Sequence, residues 1–252
     1  MFSQIQLDLD INKNKPFTNK KEDCPFCNPN NLTNILEKRD DLIWLINKYP
    51  VLSNTWPTVI IETLNHNNIL ATYTKDKLHE VFSFGISRWL KISQNPKFKS
   101  TIYFRNEGPE SGGSLSHPHS QIIGLCDIDY KECISKKNFE GICFYEDRDC
   151  NACISNYPIG SIIEFNIQLK PDGHISKFAD TLQTIVQYLQ KDFIIPVTSY
   201  NLFFYQINHL ITAKITPYYK TSPLYRGYQI TPILKQKHLH TIYNNIISYF
   251  GG

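Results

Sequence analysis

The chain has 252 residues, 41% of them hydrophobic and 19% charged, which are ordinary globular proportions that exclude disordered and fibrous classes. The formal net charge of +3 is small and its basic residues are dispersed, so nothing points to a nucleic-acid partner. No apolar run reaches the roughly 18 to 20 residues that a membrane helix needs, and no membrane partner is expected.

The opening MFSQIQLDLDINKNKPF places no apolar segment behind a basic end, so no secretory signal is expected. Seven cysteines, two of them in Cys24-Pro-Phe-Cys27, then predict a reduced cytoplasmic chain. There, close thiol pairs bind metal or do redox work. Residues 58–63 (TVIIET) are a β-branched run and predict a strand. Leu78, Val81, Phe82, Ile86, Trp89 and Leu90 recur every three or four residues, the stripe of an amphipathic helix with Thr74 at its N-cap. Residues 101–105 (TIYFR) and 120–125 (SQIIGL) predict two further strands, separated by a long Gly-rich loop.

The same order recurs in the second half. Residues 161–169 predict a strand, Ile175 to Leu189 an amphipathic helix, and residues 200–207 and 210–215 two more strands. Ile60-Ile61-Glu62 and Ile162-Ile163-Glu164 share one offset, as an internal duplication would leave them. The halves are drawn as residues 1–140, with the chemistry, and 141–252, without an active site of their own. A second C-x-x-C, Cys150 to Cys153, reads with Cys143 as free thiols in a loop. Lys214, Arg226, Glu107 and Glu110 read as solvated charges.

The first half differs from the second by inserting residues 106–119 between its last two strands. Gly112 and Gly113 let backbone N–H groups turn into a concavity that suits phosphate oxygens, and Asn106 and Ser114 add neutral donors. His117 and His119 flank Pro118 at the start of an extended segment, where residues two apart share a face. An imidazole is largely neutral near pH 7 and therefore nucleophilic, and its attack on an α-phosphorus would give a reactive phosphoimidazole.

The pattern Asn106-x-Gly108, Gly112-x-Ser114, His117-Pro-His119-x-Gln121 resembles the active-site segment of galactose-1-phosphate uridylyltransferases, within the histidine-triad superfamily. The resemblance implies an α+β, histidine-triad-like fold of two similar halves, each with antiparallel strands and one long helix. It implies His119 as the nucleophile, with Asn106, Ser114 and Gln121 holding phosphates. Related hydrolases carry a third histidine where Gln121 stands, so Gln implies a transferase. It further implies one structural zinc on Cys24, Cys27, His66 and His117. Asn47-Lys48-Tyr49-Pro50 resembles the family's segment near the nucleoside, with Asn47 towards the ribose and Phe26 and Leu45 walling the base. A homodimer acting on a nucleotide or nucleotide-sugar is the expectation. The implied reaction is nucleotidyl transfer to an acceptor phosphate, with a hydrolase or a non-catalytic nucleotide binder on the same scaffold as alternatives. The chain departs from the family where a second metal and a hexose phosphate would bind. It has Thr212-Ala213-Lys214 and Thr216-Pro217 in one place, and Pro223 and Gln229 around Gly227-Tyr228 in the other. No second metal and no galactose specificity are expected.

Overall fold

Alternating burial along the strands and a single buried stripe on each long helix divide the chain into two units, Met1–Ile134 and Ser135–Gly252. The structure is a computed structural model and describes residues 4–18, 20–195, 197–219, 223–228, 230 and 232–251. The first unit opens with a short helix α1 (Leu9–Lys13), capped by the Asp8 carboxylate. Strands β1 (Ile35–Arg39), β2 (Leu42–Ile46) and β3 (Thr55–Ile61) follow. Helix α2 (Lys75–Ser93) then leads to β4 (Ser100–Glu107) and β5 (His119–Leu125). The strands lie in the order β1-β2-β3-β5-β4, each pair antiparallel.

The second unit repeats this plan. It contains β6 (Gly141–Glu146), β7 (Cys150–Ser155), β8 (Phe165–Leu169), α3 (Ile175–Lys191), β9 (Tyr200–Ile207) and β10 (Leu210–Pro217). Its strand order, β6-β7-β8-β10-β9, is that of the first unit. Helices α4 (Pro223–Tyr228) and α5 (Gln236–Ile247) close the chain. The fold is α+β, with antiparallel strands and one long helix per unit.

Packing follows from the periodicities. Leu78, Val81, Phe82, Ile86 and Trp89 are buried along α2, and the Trp89 indole N–H donates to the Thr101 carbonyl at 2.8 Å. Gly85 lies on that face because any Cβ there would run into the Tyr103 ring. Thr74 caps α2 as expected, its hydroxyl accepting from the Lys77 N–H at 3.4 Å. In the second unit Phe178, Leu182, Ile185, Val186 and Leu189 are buried along α3. Asp149 accepts the backbone N–H of His174, the residue before that helix, at 2.8 Å.

Two local expectations are corrected, and one element was not expected. The β1–β2 hairpin was not anticipated. The strand expected from residue 161 begins at Phe165, because the Glu164 carboxylate accepts the N–H groups of Ile159 and Gly160 and holds a turn there. Cys150 and Cys153 lie in β7, not in a loop. No helix among the described residues is long and apolar enough to cross a membrane.

Candidate functional site

Three consecutive residues at the end of β3 hold the His117-Pro118-His119 turn. Ile61 pairs with His119, the Glu62 N–H donates to the Pro118 carbonyl at 3.1 Å, and the Thr63 carbonyl lies 2.7 Å from His117 Nε2. His119 Nδ1 lies 2.7 Å from the carbonyl of His117. A carbonyl only accepts, so each of these ring nitrogens carries the proton. His117 therefore keeps its lone pair on Nδ1 and His119 keeps its lone pair on Nε2. Burial pushes His117 down to about 4 and lowers His119 as well, so both rings are neutral near pH 7.

The lone pair of His117 faces a second set of donors. Cys24 precedes a single 3₁₀ turn, Pro25–Cys27, which brings both sulfurs to one side. Cys27 Sγ lies 3.3 Å from His66 Nδ1 and 3.4 Å from His117 Nδ1, while the Ser116 hydroxyl meets His66 Nε2 at 3.1 Å. The ligand atoms of Cys24, Cys27, His66 and His117 all lie within 4.8 Å of one another. A tetrahedral S₂N₂ site with ordinary zinc bond lengths has ligand–ligand edges of about 3.4–3.8 Å. The four residues fit a metal ion, and each histidine's outer nitrogen is already anchored.

Phe26, between the two cysteines, meets the His119 ring edge-on with centroids 5.5 Å apart. Both line a cavity of about 400 Å³ together with Leu45, Val59, Asn47, Ser114 and Gln121. Leu45 and Val59 are buried. Asn47 sits at a turn, its side-chain oxygen accepting from the Tyr49 N–H at 2.9 Å. Asn106 and Gly113 line a second hollow of about 390 Å³, with His66, Ser111 and Ser116. Leu115 borders both hollows. The set read together from the sequence is thus divided, with Ser114 and Gln121 beside His119 and Asn106 behind the loop. Gly112 holds the turn between them at φ +82°, a left-handed conformation that glycine adopts without strain.

Two features were missed in the sequence. Lys15 lines the His119 cavity, and burial lowers the pKa of its amine. It arrives there because the Thr18 N–H donates to the Ser114 carbonyl at 2.9 Å, which lays the N-terminal segment along the active-site loop. The second is a buried charge network under the loop. Arg105 Nε reaches Glu62 at 3.0 Å, its Nη1 pairs with Glu107, and the Tyr73 hydroxyl donates to Glu62 at 2.8 Å.

Glu107 is therefore buried in an ion pair rather than solvated; alternation along β4 puts it on the face of Arg105. Lys214 is likewise corrected: it is buried and bonded to Glu164 at 2.8 Å. Gln229 and the side chain of Arg226 lie outside the described residues.

The chain matches the N-terminal and C-terminal domains of the family described as "Domain of unknown function (DUF4931)", over residues 5–128 and 131–250. It is 38% identical to a DUF4931 family protein from Bacillus cereus of known crystal structure. That similarity covers 86% of this chain and 100% of the other, with a TM-score of 0.78. A galactose-1-phosphate uridylyltransferase of Thermotoga maritima is 27% identical over 130 residues, 44% of this chain and 40% of that enzyme. The match therefore spans less than half of that relative's length. An ADP-glucose phosphorylase from Arabidopsis thaliana, solved with bound ADP-glucose, shares the fold at 16% identity and a TM-score of 0.71. The two structures cover 95% of this chain and 98% of that one. With its motifs, its duplicated α+β plan and these relatives in agreement, the chain belongs to the DUF4931 family, in the galactose-1-phosphate uridylyltransferase-like branch of the histidine-triad superfamily.

Proposed function

We propose that the protein is a nucleotidyltransferase that moves a nucleoside monophosphate from a nucleotide-sugar or similar diphosphate to an acceptor phosphate through His119. The observation that carries this reading is the tautomer of His119. Its Nδ1–H is spent on the His117 carbonyl, which leaves a lone pair on Nε2 of a ring that lines a 400 Å³ cavity. A nucleophile held in one orientation gains much of its rate from that alone.

In the first step Nε2 attacks the α-phosphorus, and the bond from phosphorus to the leaving phosphate oxygen breaks, its electron pair going to the leaving group. The charged imidazolium keeps its Nδ1–H on the His117 carbonyl. In the second step an acceptor phosphate oxygen attacks the same phosphorus, the P–N bond breaks, and the electron pair returns to Nε2. No proton is gained or lost across the cycle. Ser114 and Gln121 donate hydrogen bonds to phosphate oxygens, and the Lys15 ammonium offsets their charge. Gly112 and Gly113 shape the loop, with Asn106 supporting it from behind. Phe26 and Leu45 form the wall for the base, and Asn47 serves the ribose.

Cys24, Cys27, His66 and His117 would hold one zinc ion. When bound, it supplies folding energy and a fixed geometry, keeping His117, and through its carbonyl His119, in place. All seven cysteines are free, which suits a reducing compartment such as the cytoplasm. Residues 1–140 carry the reaction and residues 141–252 have no active site of their own. The working form is a homodimer, an expectation that rests on the family and is checked by light scattering.

The reaction is tested by incubating the protein with UDP-, ADP- and GDP-sugars, with and without acceptor phosphates. Acceptor-dependent transfer of the monophosphate supports the proposal. Release of free monophosphate without an acceptor would make the protein a hydrolase.

A further inference from the structure

Cys150 and Cys153 have the C-x-x-C spacing, but the strand that carries them separates the two. Side chains along β7 alternate between faces, so a spacing of three puts these cysteines on opposite sides. Cys150 turns towards α3, its Sγ 3.2 Å from Thr181 Oγ1. Cys153 lies on the other face, in a row that the register aligns across four strands: Cys143, Cys153, Asn166, Lys214.

Cys143 of β6 is directly opposite Cys153. Directly opposed residues in antiparallel strands have Cα atoms about 4.5 or 5.5 Å apart, and disulfides span about 4.4–6.8 Å between Cα atoms. Either Cα spacing falls within that range. Cys153 Sγ lies 3.1 Å from where a Cβ on Gly141 would sit and Cys143 Sγ lies 3.3 Å from the Tyr145 carbonyl, so the two side chains must turn towards each other to bond. Both thiols are free; Cys143 is exposed and Cys153 buried.

We infer that Cys143 and Cys153 form a reversible cross-strand disulfide, making this edge of the second unit a site of thiol–disulfide exchange with small disulfides such as oxidised glutathione. The thiolate of Cys143 attacks one sulfur of the small disulfide and expels one thiol, leaving a mixed disulfide. The thiolate of Cys153 then attacks Cys143 Sγ and expels the second thiol. Two protein thiols are oxidised, one small disulfide is reduced, and its two thiols take up the two protons.

Burial pushes the Cys153 thiol up, while the Asn166 amide, 3.8 Å from its sulfur, and the Lys214 ammonium act against that. The second step is the slower one. Opposed Cβ atoms are about 4.5–5.5 Å apart and a relaxed disulfide needs about 3.5–4.5 Å, so the strands must draw together. The register shift just after Cys143 and the terminal place of β6 in the strand order give it room to move. A bond closed against such resistance is readily reduced again.

The test is to incubate the full chain with oxidised glutathione, alkylate remaining thiols under denaturing conditions, and digest with trypsin without reductant. Cleavage after Arg148 separates the two cysteines. The expected product is a Cys143–Cys153 linked peptide pair that has lost two hydrogens, with Cys150 alkylated and the link undone by dithiothreitol. Cys143→Ser should abolish the link, and Cys153→Ser should strand Cys143 as a stable glutathione mixed disulfide. Wild-type protein ending with glutathione on Cys143 and an alkylated Cys153, a link to Cys150, or no reaction at all would overturn the inference.

Discussion

At the scale of single residues, the site depends on which nitrogen or oxygen is already spoken for. His119 Nδ1 is committed to a backbone carbonyl and His117 Nε2 to another, so the two rings have different duties although they stand two residues apart. His117→Asn should therefore lower metal content and stability together. Lys15 is the cation that sequence reading overlooked, because Lys13 and Lys15 look alike in INKNKPF and only the pairing of Thr18 with the loop distinguishes them. Lys15→Met should weaken binding of nucleoside diphosphates about tenfold, ~1.4 kcal/mol, and leave binding of the bare nucleoside unchanged in titration calorimetry. Equal losses for both ligands would remove Lys15 from the phosphate site. The histidines, by contrast, were legible in the sequence, because packing alone rarely calls for two imidazoles flanking proline behind a Gly-Gly-Ser loop.

At the scale of elements, the loop between β4 and β5 is clamped from both sides of the sheet. Cys24 and Cys27 reach His117 on one side, and on the other Arg105 ties β4 to Glu62, the residue after β3. Cys24→Ser should reduce metal content from about one ion per chain and lower the melting temperature by roughly 10 °C, as a loss of several kcal/mol would in a chain of this size. Unchanged stability after complete metal loss would show that the cluster does not hold the fold. Arg105→Met should cost about 3–5 kcal/mol in denaturant unfolding, because it strands a buried carboxylate. Adding Glu62→Gln should recover part of that loss. The long strands and helices were legible from periodicity alone. The β1–β2 hairpin was not, since Glu37, Lys38 and Arg39 give β1 the look of a charged loop while Glu37 is in fact engaged by Arg88 of α2. Burial of Glu107 and Lys214 escaped for the same reason: a charge is read as solvated until its buried partner is known.

For the whole molecule, the two units share one plan and differ where the histidine turn stands. Both units bury a glutamate and neutralise it with a buried cation, but at opposite ends of equivalent strands: Glu62 follows β3, whereas Glu164 precedes β8. In the first unit the cation comes from β4, whereas in the second it comes from β10, the counterpart of β5. Strand β5 begins with the histidine turn, while β10 follows β9 through Asn208 and His209 with no inserted loop. The recurring order of strand, helix and two strands made this duplication readable; the Ile-Ile-Glu repeat is not part of it, because it ends β3 in one unit and precedes β8 in the other. Titration with a reactive nucleotide-sugar should accordingly saturate at one nucleotidyl group per chain, and metal analysis at one ion. Two of either would mean that the second unit has a working site after all.

The most direct test of the account is the intact mass of the protein after incubation with UDP-, ADP- and GDP-sugars in the absence of an acceptor. Wild-type chain should gain one nucleoside monophosphate from at least one donor, and fragmentation should locate it on His119. His119→Asn should keep its metal and its fold but gain no mass. An adduct that persists in folded His119→Asn protein, or its absence from wild type with every donor, would contradict the claim that this histidine carries the nucleotide.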